Sequence, residues 1–132
     1  MTIYTIIITL GLQVIFAEKM PSDYICGYYQ SNTKEVVLNL ASWCNQNETL
    51  YHELGHALFL NDKEVKDFIS KYPAPKFYYS TDYPTANSKL NEKVADYFAM
   101  YMKYPDFGKK FPEVKELFDR KVKDLTETVS IK

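Results

Sequence analysis

Histidine is scarce in this chain, with only His52 and His56 among its 132 residues. A metal site built on three imidazoles is therefore excluded. Cysteine is equally scarce. Neither Cys26 nor Cys44 lies close enough in sequence to another Cys or to a His to form a structural zinc motif, so neither is counted as a ligand. The pair can close one disulfide in an oxidising compartment or stay as buried thiols, and the expectation adopted is thiols. Charge of one sign is also missing. A formal net charge of -1 gives no reason to invoke nucleic acid or an anionic membrane surface. No repeat, low-complexity tract or linker divides the chain, so residues 1–132 are read as one compact domain. Tryptophan occurs once, against 12 Tyr and 8 Phe. Much of that tyrosine is expected in the core and in cleft walls, where an apolar ring with a polar tip fits.

There is no long uninterrupted apolar run. The stretch from Met1 to Ala17 is short for a membrane span and is broken by Thr, Gly and Gln. It resembles a leader core with Ala17 as a cleavage point, but no Lys or Arg precedes it. Ile6, Ile8, Leu10, Leu12, Val14 and Phe16 form an every-second-residue series, with Thr5, Thr9, Gly11 and Gln13 on the other face. That alternation predicts an ordered strand, and with it a cytoplasmic rather than secreted chain.

Further strands are predicted at Tyr24 to Gln30 and Glu35 to Leu40, joined by a Ser31-Asn32-Thr33 hairpin. Helices are expected at about 46–60, at Glu64 to Lys71, at Ser88 to Tyr104 before Pro105, and from Pro112 onward. Val65, Phe68 and Ile69 face inward on the second of these. Val114, Leu117, Phe118, Val122 and Leu125 mark the buried stripe of the last. Tyr72 to Thr85 carries three prolines and several tyrosines and reads as a long irregular loop. Strands first and helices after predict an α+β fold, with a mostly antiparallel N-terminal sheet.

Both histidines fall in one segment, His52-Glu53-Leu54-Gly55-His56. On a helix, residues four apart lie one above the other, so the two imidazoles can share one metal ion. Glu53 lies about 100° around the helix, placed to act on water at that ion. Asn45-Gln46-Asn47-Glu48 has the form of a capping box. Leu50, Leu54, Ala57 and Leu58 form an apolar stripe roughly opposite the histidines. The third ligand must then be a carboxylate or a sulfur, on a rigid element packed against this helix. Glu92 and Asp96 share a face of the later helix, and Ala95 and Ala99 beside them permit close approach. Glu92 is the expected ligand. Asp96 is expected to accept the free ring N–H of a ligating histidine, fixing its tautomer.

His-Glu-Leu-Gly-His followed by Glu92-Lys93-Val94-Ala95-Asp96-Tyr97-Phe98-Ala99 resembles the gluzincins. These are zinc peptidases with two histidines and a downstream glutamate. The likeness is nearest to the minimal gluzincins and the catalytic domain of anthrax lethal factor, and Phe111-Pro112-Glu113-Val114 to Phe118 is similar to their final helix. It spans about residues 12–125, leaving 126–132 as a polar tail. It implies a small zincin-like domain, with His52, His56 and Glu92 as zinc ligands and Glu53 as general base. Two departures stand out. Asp96 occupies a position where Glu is common, and the chain has no room for a toxin's entry domains. Phage and mobile-element antirepressor peptidases share His-Glu-x-Gly-His and a Glu-x-x-Ala helix, although no DNA-binding or sensor appendage is recognisable here.

The function expected is hydrolysis of a peptide or protein substrate, with no nucleic acid or membrane partner. In such a site zinc supplies Lewis acidity, while Glu53 takes a proton from water and passes it to the leaving amine. Tyr83, with Tyr79 next, is the expected oxyanion-stabilising residue. A strand edge within Glu35 to Leu40 is expected to hold an extended peptide. Two alternatives use the same residues. One is a latent, self-inhibited or regulatory peptidase, and the other a zinc-binding module without turnover.

Overall fold

A computed structural model describes residues 3–20, 25–75 and 86–130. The fold is α+β, in the order α1 (Ile3–Leu10), β1 (Gln13–Ala17), β2 (Gly27–Gln30), β3 (Glu35–Asn39), α2 (Gln46–Phe59), α3 (Lys63–Ile69), α4 (Ala86–Lys103), α5 (Phe107–Lys110) and α6 (Pro112–Ser130). No helix among the described residues is long and apolar enough to cross a membrane.

The N-terminal strand prediction is corrected. Residues 3–10 are helical, and only Gln13–Ala17 is extended. Every second residue is apolar here, but Ile3, Ile6, Ile7 and Leu10 also recur at helical spacing. Tertiary packing selects the helix: Ile6 is fully buried, and the other three pack against the core. Gly11, at φ +66°, ends the helix in a conformation that costs glycine little. Its N–H donates to the Ile8 carbonyl and the Leu12 N–H to the Ile7 carbonyl, which satisfies two terminal acceptors.

The sheet has the order β1-β3-β2. β2 and β3 form the expected antiparallel hairpin, with Gln30 opposite Glu35 and the turn at 31–34. β1 instead pairs parallel to β3, Val14 beside Val36 and Phe16 beside Leu38. The sheet is therefore mixed rather than mostly antiparallel. β3 is its central strand, buried from Val36 to Asn39. The expectation that Glu35 to Leu40 offers a free edge is thereby overturned. Among the described residues, the edge strand packed against α2 is β2.

Helices fill the rest of the core. α4 lies along α2, α6 contacts both α1 and α4, and the rings of Phe59, Phe98, Tyr101, Phe107 and Phe118 meet there, mostly edge to face. α6 continues through Ser130, into the segment read as a polar tail.

Candidate metal centre

α2 begins as the sequence predicts. The Asn45 side chain accepts the Glu48 N–H at 3.0 Å, satisfying one of the donors left open at a helix start. The Glu48 carboxylate, the other half of the expected box, pairs with Lys103, the last residue of α4. That pair ties the first turn of one helix to the last turn of the other. Midway, Gly55 lets the two backbones touch. A Cβ there would lie 2.8 Å from the Ala95 Cα and 3.1 Å from the Phe98 Cβ. Close approach sets His52 and His56 against Glu92 and Asp96.

The structure brings four of the expected residues together. His52 Nε2 lies 2.7 Å from one Glu92 oxygen and His56 Nε2 lies 3.0 Å from the other. The same His52 ring donates from Nδ1 to Asp96 Oδ1 at 2.7 Å. Two carboxylates one helical turn apart therefore grip both nitrogens of one imidazole. His52 and Asp96 are each 1% exposed. The apolar stripe of α2 does not lie cleanly opposite the histidines, since His52 is as buried as Leu54.

Burial and charge act in opposite directions at this cluster. Burial alone would lower the His52 pKa, but hydrogen bonds to Asp96 and Glu92 outweigh it and hold the imidazolium up to about 10. Burial pushes Glu92 upward, and the His52 and His56 ring protons more than offset this, bringing it down to about 2. Asp96 is raised by burial, an effect its bond to His52 only partly offsets. Glu53 is raised as well, because burial of its carboxylate outweighs the attraction of His52 and His56.

One ring nitrogen each from His52 and His56 and a Glu92 oxygen fall within 4.8 Å of one another. Two imidazoles and a carboxylate are a donor set that suits zinc and other divalent first-row metals. Glu53 strengthens the fit. It is 4% exposed, and its Oε2 has no hydrogen-bond partner among the described residues. An orphaned buried carboxylate oxygen costs stability unless a ligand satisfies it. The cluster floors a cleft of about 340 Å³, walled by β2 residues Gly27, Tyr28 and Tyr29 together with Ile25 and Leu60.

Sequence reasoning did not find β2 as that wall. Gly27 is its signal, a lone glycine in a strand pattern marking close backbone approach. A Cβ there would meet the Thr49 side chain at 2.5 Å. Tyr79 and Tyr83 lie outside the described residues. The thiol expectation is also corrected: Cys26 and Cys44 are bonded as a disulfide, their Cα atoms 5.5 Å apart. No protein-family model, curated protein or solved structure matches the chain.

Proposed function

We propose that the chain is a zinc-dependent metallopeptidase of gluzincin type. The observation that carries this reading is the convergence of His52, His56 and Glu92 beside a buried, half-unpartnered Glu53, at the floor of an open cleft. His52, His56 and Glu92 would hold the metal. A zinc ion supplies Lewis acidity, acidifying water and polarising a peptide carbonyl. Asp96 orients His52 by holding Nδ1–H, which leaves Nε2 directed to the centre. Glu53 is not needed as a ligand. A buried carboxylate at the floor of the cleft, its pKa raised, is suited to take a proton from water and deliver it to the leaving amine.

The substrate runs along β2. Among the described residues β2 has β3 as its one neighbour in the sheet, so its other edge is open to an extended peptide through backbone hydrogen bonds. Ile25 and Leu60 in the cleft wall offer apolar surface to a substrate side chain.

Zinc content and cleavage of a peptide library test the assignment for the native protein beside Glu53→Gln and Glu92→Ala. The Glu53→Gln protein is expected to keep its zinc and lose about 100-fold or more in kcat/KM, in line with removal of a general base. Glu92→Ala is expected to weaken zinc binding by more than the roughly 10- to 100-fold that loss of an outer hydrogen-bond partner costs. Zinc bound equally by the native and Glu53→Gln proteins, with cleavage by neither, overturns the peptidase reading.

A further inference from the structure

The Cys26–Cys44 bond joins two positions that matter to the cleft. Cys26 immediately precedes β2, the cleft wall, and Cys44 immediately precedes Asn45, the N-cap of the histidine-bearing helix α2. Asn39, 6% exposed, reinforces the junction: its side-chain amide donates to the Ile25 carbonyl at 2.9 Å. The Asn39 backbone N–H donates to the Cys26 carbonyl at 2.7 Å, and its side-chain oxygen accepts the Ala41 N–H at 2.9 Å. Gly27 then rests on Thr49 of α2 with no space for a Cβ.

These contacts fix the height of β2 above α2. The metal-binding side chains are held separately. His52, His56 and Glu92 lie on α2 and α4, which meet each other at Gly55, Ala95 and Phe98, outside the Cys26–Cys44 loop. The floor thus has a support of its own in the α2–α4 contact, while the covalent bond ties the wall to the start of α2.

We infer that the Cys26–Cys44 bond is a redox latch on the cleft. Oxidised, it seats the β2 edge over α2 in the position that receives an extended ligand; reduced, it releases that edge and leaves the ligand cluster assembled. The latch opens by thiol–disulfide exchange with a dithiol reductant. The S–S bond breaks, both protein sulfurs become thiols, and the reductant closes to its own disulfide as two electrons and two protons transfer. The cleft is then complete in an oxidising compartment and loosened in a reducing one. As control of peptide access this rests on the metallopeptidase reading, although the mechanical claim does not.

Hydrogen exchange of the native protein, before and after reduction by dithiothreitol, tests it in the seconds-to-minutes window. Reduction is verified by mass on an alkylated portion. The β2 amides paired to β3 are expected to exchange at least about tenfold faster after reduction, while those at the centres of α2 and α4 change by less than about twofold. Zinc titration of the Cys26→Ser/Cys44→Ser protein, which has no thiols to compete for metal, is expected to give an affinity within about threefold of native. Unchanged β2 exchange in verified reduced protein overturns the latch. Equal loss of protection across α2 and α4, or a larger fall in zinc affinity, also overturns it, because the bond would then support the whole fold. Absence of zinc binding in both proteins would count against the metallopeptidase reading, and the exchange result would still decide the latch.

Discussion

His52 is held at both ring nitrogens, by Glu92 at Nε2 and by Asp96 at Nδ1. The two carboxylates are four residues apart on one helix, a spacing that puts their side chains one above the other. One helix thus supplies both carboxylates that hold the His52 ring. This makes Asp96 a positioning residue with a measurable signature. Asp96→Ala leaves a buried ring N–H without an acceptor and is expected to weaken zinc binding by roughly 10- to 100-fold. In Asp96→Asn the amide oxygen still accepts that hydrogen bond, so most of the affinity should return. Isothermal titration with zinc checks both. Equal affinity in the native and Asp96→Ala proteins would show that the Asp96 contact contributes nothing to the centre. At this scale the sequence was informative, because His52, His56, Glu92 and Asp96 are related by helical spacing and by the small residues between them. The Cys26–Cys44 pairing was not legible. These residues are 18 apart in sequence and meet only after the β2–β3 hairpin has folded back, so nothing local to either one signals its partner.

Among the elements, α2 and α6 were legible because a capping residue and a proline mark their starts, α4 because Pro105 marks its end, and α3 because apolar residues recur at helical spacing. Asn45 caps α2 and Asp62 caps α3, each accepting a backbone N–H through its side chain. α1 was not legible, since a segment as uniformly apolar as Ile3–Leu10 satisfies both periods and packing alone decides between them. The order of the sheet was hidden for a related reason. β1 joins β3 across the intervening hairpin, and parallel pairing leaves no turn signal in the sequence. The element contact that matters most to the site is α2 against α4 at Gly55. Alanine is the better helix former by about 1 kcal/mol, so on propensity alone Gly55→Ala would stabilise. Sterics should reverse the sign, because the atoms a Cβ would meet at 2.8 and 3.2 Å are the Ala95 Cα and carbonyl oxygen, and backbone yields poorly. Overpacking of this kind costs about 1–3 kcal/mol. The expected result is net destabilisation in urea together with weakened zinc binding, as α4 is forced outward and Glu92 with it. A Gly55→Ala protein more stable than native, with unchanged zinc affinity, would show that the helices separate without disturbing the site.

Across the whole molecule, stability and site chemistry have different supports. Phe118, fully buried, stacks on Phe59 of α2 at 5.3 Å and meets Phe98 and Tyr101 of α4 at 5.6 and 5.3 Å. It also stacks on Phe107 of α5 at 6.5 Å. One side chain from α6 therefore joins the helices that bear His52, His56 and Glu92. Truncation to alanine would remove about 3–5 kcal/mol, a large part of the roughly 5–15 kcal/mol that folds a domain. Such a variant would report unfolding and nothing about the site. Phe118→Leu is the informative change: it keeps an apolar group of moderate volume and loses ring contacts, for an expected cost of about 1–3 kcal/mol. Its urea midpoint should fall with an unchanged m-value, which marks lost stability rather than altered compactness. Zinc affinity measured well below the unfolding transition should stay within about twofold of native, because Gly55 and the Glu48–Lys103 pair still hold α2 to α4. A tenfold loss of zinc affinity in folded Phe118→Leu would mean that the aromatic cluster sets the spacing of the ligands, and the division between core and centre would have to be redrawn.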